Sequence, residues 1–217
     1  MNQLKPADFL IGPAEGWTYY RGHWSAVYEG IRSVERQRGP FALWTGERLA
    51  DGLIEAKVVL DRASEFGSLL FRAQAEGDEQ RGYEVTLDPR RQRLILRRHG
   101  TNETILADAE CAIPVLKPIS LKIELNGAHI GVWLDGSRQT TIDAVDPSPI
   151  SAKGFVGLRA WGASMSLDQL ALSAEGKTLG PVLDTTDPTV NSRAANHRAL
   201  NSFCLLLLNL NEMIYVD

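Results

Sequence analysis

The sequence predicts an all-β fold in which two antiparallel sheets pack face to face. Three observations carry this. Short apolar runs alternate with a period of two, as half-buried strands do. Nineteen glycines and ten prolines punctuate those runs at the spacing of a sandwich. Two dipeptides with hairpin-turn chemistry, Asn126-Gly127 and Asp135-Gly136, close consecutive runs. No segment between residues 17 and 176 holds a helical period over three turns. A chain of 217 residues is long enough to bury roughly 70% of the surface its unfolded form exposes.

The elements follow in chain order. Gly52 to Leu60 (GLIEAKVVL) alternates after Leu53, and Gly67 to Ala73 (GSLLFRA) is apolar with one charge, Arg72. Tyr83 to Asp88 (YEVTLD) alternates strictly, with Tyr83, Val85 and Leu87 on one side. Asp88-Pro89 starts a turn and Arg93 to Arg98 returns. Ser120 to Leu125 runs into Asn126-Gly127, and Ile130 to Leu134 ends at Asp135-Gly136. Phe155 to Trp161 and Ser164 to Ser173 close the series. The count comes to roughly ten to twelve short strands over residues 15–180.

The end of the chain changes character. Gly176 and Gly180-Pro181 read as a break, and residues 181–191 as a linker. Asp187-Pro188 is a helix start, since an Asp side chain caps free amides and Pro has none to lose. Ala195, Ala199, Phe203, Leu206, Leu207 and Leu210 then recur near one face, so 192–217 is expected to form a short C-terminal helical segment. Phe203 to Leu208 is apolar all round and needs a partner: the sandwich's flank, another domain, or a second copy. The reading favoured is a remnant of a further domain.

Composition removes several function classes. A net charge of −4, from 23 Lys plus Arg against 27 Asp plus Glu, argues against a nucleic-acid partner. Arg90, Arg91, Arg93, Arg97 and Arg98, beside His99, form one basic hairpin with no interleaved aromatic, which reads as a solvated edge that discourages strand addition. Two cysteines give neither a disulfide framework nor a zinc set. Met1 to Gly16 lacks the pattern of a secretory signal, and the longest apolar run is far too short for membrane insertion. No cofactor and no metal is expected, although Asp143, Asp146 and Asp168 are carboxylates of the kind that assist calcium at a loop rim.

Alternation also assigns faces. Leu69, Phe71 and Ala73 should point inward, leaving Ser68, Leu70 and Arg72 outward. By the same rule Glu84 and Thr86, and Gly157, Arg159 and Trp161, point outward. If these faces belong to one sheet, Arg72, Glu84, Arg159 and Trp161 gather on one surface. An Arg fork grips hydroxyls or carboxylates, a carboxylate accepts from sugar hydroxyls, and an indole stacks on a sugar face. The set suits a small polyhydroxylated ligand; the alternative is an Arg72–Glu84 cross-strand ion pair with only a structural role. Trp24 is expected in the core, Trp44, before Thr45-Gly46, is a candidate rim platform, and Trp133 is expected beneath the C-terminal segment or on the solvent side of its hairpin.

The segments LIEAKVVL, GSLLFRA, GYEVTLD, LKIELNGAHIGVWLDG and GFVGLRAW, in that order, resemble the concanavalin-like lectin/glucanase (laminin-G-like) jelly-roll sandwich. They are most similar to the branch holding the C-terminal sandwich of family 32 fructan hydrolases, related fructan-binding modules and the 3-keto-glycoside hydrolase-like domains. Gly22, Trp24, Tyr28 and Gly30 resemble the opening of those domains. The resemblance spans about residues 15–176. It implies that Arg72 and Glu84 fall at the ligand site. The compact ExDxxE strand motif of family 16-type glucanases has no counterpart: Glu55 stands alone and Glu124 is followed by Leu125 and Asn126. Separately, Ala199 to Asp217 (ALNSFCLLLLNLNEMIYVD) resembles the close of a bacterial domain of unknown function from large exported proteins carrying cytochrome-c-like modules. These readings imply a non-catalytic carbohydrate-binding or accessory module of a larger bacterial protein. A 3-keto-glycoside hydrolase using Glu84 and a structural interaction module remain as alternatives.

Overall fold

A computed structural model describes residues 16–22, 24–27, 30–33, 38–62, 64–77, 79–136, 141–162 and 164–184. All regular structure among them is strand. In chain order these are β1 Trp17–Tyr20, β2 Trp24–Val27, β3 Gly30–Ser33, β4 Arg38–Leu49, β5 Gly52–Leu60, β6 Phe66–Glu76, β7 Glu79–Asp88 and β8 Arg93–His99. Then come β9 Glu103–Glu110, β10 Pro118–Asn126, β11 His129–Leu134, β12 Ile142–Val145, β13 Gly154–Trp161, β14 Met165–Ala174 and β15 Lys177–Asp184. They form two antiparallel sheets. The first runs β1-β4-β13-β6-β7-β8-β9, the second β12-β11-β10-β5-β14-β3-β2, with β15 beside β14.

The core lies where the two inner faces meet. From the first sheet come Leu69, Phe71, Tyr83, Val85, Leu87, Val156, Leu158 and Ala160, and from the second Ile54, Val58, Ile119, Leu121, Ile123, Leu167 and Leu172. Burying such side chains stabilises by roughly 1.5–3 kcal/mol each. Trp17 and Trp24 join this core, and Trp44 packs against it. Trp133 faces away from it, paired with Lys122 across the strand, whose amine lies 5.0 Å from the indole centroid.

Three local expectations need correction. The β10–β11 turn is Gly127-Ala128, because Asn126 still pairs with His129. At Gly180-Pro181 the chain does not break, since β15 continues to Asp184. Strand β4, twelve residues long, is absent from the strands that alternation predicts. Its Phe41-Ala42-Leu43 stretch hides its period because both faces are buried: Ala42 enters the main core, while Phe41 and Leu43 join Leu70 and Ala73 in a second apolar cluster on the outer face of the first sheet. The expected linker beyond Asp184, the helical segment 192–217 and the Phe203–Leu208 run lie outside the described residues.

Candidate functional site

Next to that outer apolar cluster the first sheet carries a buried polar group. Strand order places β13, β6, β7 and β8 side by side, so outward residues on the four share one surface. Arg159 pairs with Ser68, Ser68 with Thr86, and Glu84 with Arg97. Ser68, Glu84 and Thr86 point away from the core, as alternation requires, yet none is more than 1% exposed. The side chains of His99, Arg159 and Arg97, themselves mostly covered, close over them.

Glu84 is the centre of this group. Its Oε1 accepts from the Ser68 hydroxyl at 2.5 Å and from Thr86 at 3.2 Å. Its Oε2 meets Gln80 Nε2 at 3.0 Å, Arg159 at 2.9 Å and His99 Nε2 at 2.6 Å. Burial alone would push the carboxyl up, but the His99 hydrogen bond, the Arg159 and His99 charges and the Ser68 hydroxyl together hold it down to about 2. It is therefore an anion at any neutral pH, with its acceptor sites filled.

Beside it Arg159 lays its guanidinium 4.9 Å from the Trp161 ring centroid, and Trp161 stacks on Phe66 at 5.5 Å. On the other side Tyr20 stacks on Phe41 at 4.7 Å. Between them opens a cleft of about 250 Å³ whose lining includes Arg21, Phe41, Gln80, His99, Arg159 and Trp161, with the carboxylates of Glu79 and Glu103. Of the four side chains singled out from sequence, Glu84, Arg159 and Trp161 come together here.

Arg72 does not join them. The β6–β7 pairing slips between Phe71 and Gln74, and Arg72 occupies the slip with φ +45°. This bulge reverses the alternation: Ala73, expected inward, sits in the outer cluster, and Arg72 turns to the end of the sandwich. There its guanidinium is 1% exposed and donates to the carbonyls of Ala50 (2.6 Å), Ile150 (3.0 Å) and Gly127 (2.9 Å) and to Asp51 (3.0 Å). It ties three turns together. Its ion-pair partner is Asp51; Glu84 pairs instead with His99 and Arg159. Next to it Tyr83 donates to Asp146 at 2.8 Å and accepts from the Ile150 amide, and Arg98 binds the same Asp146 carboxylate.

The basic hairpin is dispersed. Arg93 pairs with Asp108, Arg97 with Glu103, Arg91 with Asp88 and Arg98 with Asp146. Asp143 pairs with His129, Asp146 with Arg98 and Tyr83, and Asp168 accepts from Ser166. Among the described residues no three His, Cys, Asp or Glu side chains assemble as a metal set. His99 and Gln80 were not singled out for the site. Nothing in the order of residues pointed to Gln80, whereas His99 was legible as the outward residue closing β8, opposite Gly82.

The profile described as the 3-keto-alpha-glucoside-1,2-lyase-like domain matches residues 13–172. The chain belongs to this family. As a member of this lyase-like family it shares its sandwich with carbohydrate-binding module CBM66 from Bacillus subtilis, at 25% identity and a TM-score of 0.64, over 73% of this chain and 96% of the module. A protein of unknown function with a galectin-like fold from Bacillus subtilis matches at 13% identity and a TM-score of 0.60, over 72% and 88%. The exoplasmic/lumenal domain of VIP36, in a calcium- and mannose-bound form, matches at 12% and 0.59, over 79% and 87%. These last two likenesses concern the fold alone. No curated protein sequence matches the chain. The lyase-like family answers to the 3-keto-glycoside hydrolase-like domains that the strand segments resemble, and the matched span begins two residues before and ends four residues before the one expected.

Proposed function

We propose that this domain is a non-catalytic carbohydrate-binding or accessory module of a larger bacterial protein, and that its ligand sits in the Arg159–Trp161 cleft. The observation that carries the proposal is the state of Glu84. A carboxylate held at about 2 is a weak base and, at neutral pH, no acid, so it is poorly matched to proton transfer. Five donors fill it, so its role is to hold Arg159, Gln80 and His99 in place. The ligand then meets the Arg159 fork, the Trp161 ring and the Gln80 amide. A cleft of about 250 Å³ lies near the small end of ligand sites, enough for a sugar ring. The CBM66 likeness supports the same reading. Arg72, committed to four acceptors, serves the fold in this account.

A glycan array tests it. Wild-type protein should retain a defined set of glycans that Trp161→Ala and Arg159→Met lose. Retention of none would leave the reading of a structural interaction module without a small ligand. The family description supports a second reading, a hydrolase of 3-keto-glycosides that uses Glu84. Turnover of a keto-glycoside, abolished in Glu84→Gln, would establish that enzyme and displace the proposal.

A further inference from the structure

Gln80 holds an orphaned acceptor at the cleft. Its Nε2 donates to Glu84 Oε2 at 3.0 Å, which fixes the amide: the reverse orientation would set two oxygens against each other. Oε1 is thereby turned away from the carboxylate. It is buried and has no hydrogen-bond partner among the described residues, while Gln80 itself lines the cleft. A buried acceptor without a donor is costly, and native proteins keep few of them. The cost is removed if a ligand brings an O–H to this atom.

Arg159 lines the same cleft. One of its terminal nitrogens is committed to Glu84, and it makes no other hydrogen bond among the described residues. Cleft and wall together hold both halves of a hydroxyl's requirement: guanidinium N–H groups that donate to its oxygen, and a buried amide oxygen that accepts its proton when the Gln80 side chain shifts to meet it.

We propose that Gln80 is a specificity-determining residue: its Oε1 accepts the proton of one sugar hydroxyl, so that the cleft takes a glycoside bearing that hydroxyl and rejects the deoxy or keto counterpart. This rests on the carbohydrate-binding reading. A carbonyl at the contacted carbon offers no proton and would set its oxygen against Gln80 Oε1. A deoxy carbon leaves the same acceptor buried and unpaired. Sites built to satisfy a hydroxyl discriminate strongly against analogues that lack it, whereas an apolar pocket does not.

The test is calorimetric titration of the full chain with the methyl glycosides of glucose, galactose, mannose and fructose. The best binder is followed by its monodeoxy derivatives at each ring hydroxyl and its keto derivatives. One deoxy derivative and the keto derivative at the same carbon should bind wild-type protein about tenfold more weakly or worse. Gln80→Met should bind the parent and those two derivatives within about threefold of one another, because no acceptor remains to be satisfied. Binding that Trp161→Ala abolishes, but that every deoxy and keto derivative reproduces in wild-type protein, overturns the role of Gln80 and leaves the cleft as the sugar site. That outcome needs no variant at residue 80 to fold. If no methyl glycoside binds, or Trp161→Ala leaves binding intact, the carbohydrate reading of the cleft fails and the inference fails with it.

Discussion

His99 Nε2 lies 2.6 Å from Glu84 Oε2, joining the last residue of β8 to a carboxylate that is fully buried on the outer face of its sheet. Opposite in sequence, Arg159 reaches the same oxygen from β13 at 2.9 Å. Arg159 and His99, from non-adjacent strands, thus meet over one anion, and the sheet's outer surface acquires a polar interior of its own. Ordinary outward residues are solvated; these are closed off, and the ionisation of Glu84 becomes part of the stability of the fold.

Acid should therefore weaken the domain in a defined window. Glu84 has an ordinary value of 4.5 and is held at about 2 in the folded chain. A depressed carboxyl contributes its stabilisation above its unfolded value and loses it as pH falls toward its folded value. The contribution is full above pH 4.5, fades between 4.5 and about 2, and is on the order of 3 kcal/mol. Asp146, also lowered against its burial by the Ser148 amide, Tyr83 and Arg98, acts in the same direction. Urea midpoints measured across this window should fall with acidification, and Glu84→Gln should flatten much of the slope. An unchanged slope in the variant would assign the acid sensitivity to other carboxylates.

Replacing Arg72 should damage stability and spare binding. Arg72→Met strands the carbonyls of Ala50, Ile150 and Gly127 and takes away the charge that pairs with Asp51, while the Gly127 amide still binds the Asp51 carboxylate. A loss of roughly 3 kcal/mol is expected. The dissociation constant of any glycoside that binds the cleft should stay within about twofold of the wild-type value. A variant of normal stability that no longer binds would return Arg72 to the ligand site.

The bulge that redirects Arg72 depends on Gly82. Its φ is +131°, and a Cβ there would lie 2.7 Å from both Ala73 Cα and the Arg72 carbonyl oxygen. Backbone atoms cannot give way as a flexible side chain does, and L residues avoid this φ. Gly82→Ala should cost more than about 2 kcal/mol, read from chemical denaturation. A near-neutral result would mean that β6 and β7 can pair without the slip.

Much of this fold was legible because β5, β7, β10 and β13 bury one face in the main core and keep a period of two. That period correctly placed Glu84, Arg159 and Trp161 on one surface. It failed at Arg72, because a bulge adds a residue without any mark in the order of side chains. It failed again at β4, where the outer apolar cluster buries the second face and removes the contrast on which the reading depends. Glu84 was expected as an exposed contact group. Its burial arises from His99 on β8 and Gln80 four residues upstream, and only the register between strands brings the imidazole over it. A turn dipeptide signalled the β10–β11 hairpin but not its frame, since the Gly127 amide binds Asp51 and Asn126 remains in the ladder.

Binding of a sugar in the cleft beside Trp161 can be followed at a single atom of that residue. Trp161 has an indole N–H that can be followed by nitrogen–proton correlation spectroscopy and assigned by its loss in Trp161→Phe. Titrating wild-type protein with the four methyl glycosides should move the Trp161 indole resonance saturably. The resonance of Trp133, on the outer face of the opposite sheet, should stay fixed. A saturable shift at Trp133 with none at Trp161, or no shift at either, would contradict the account.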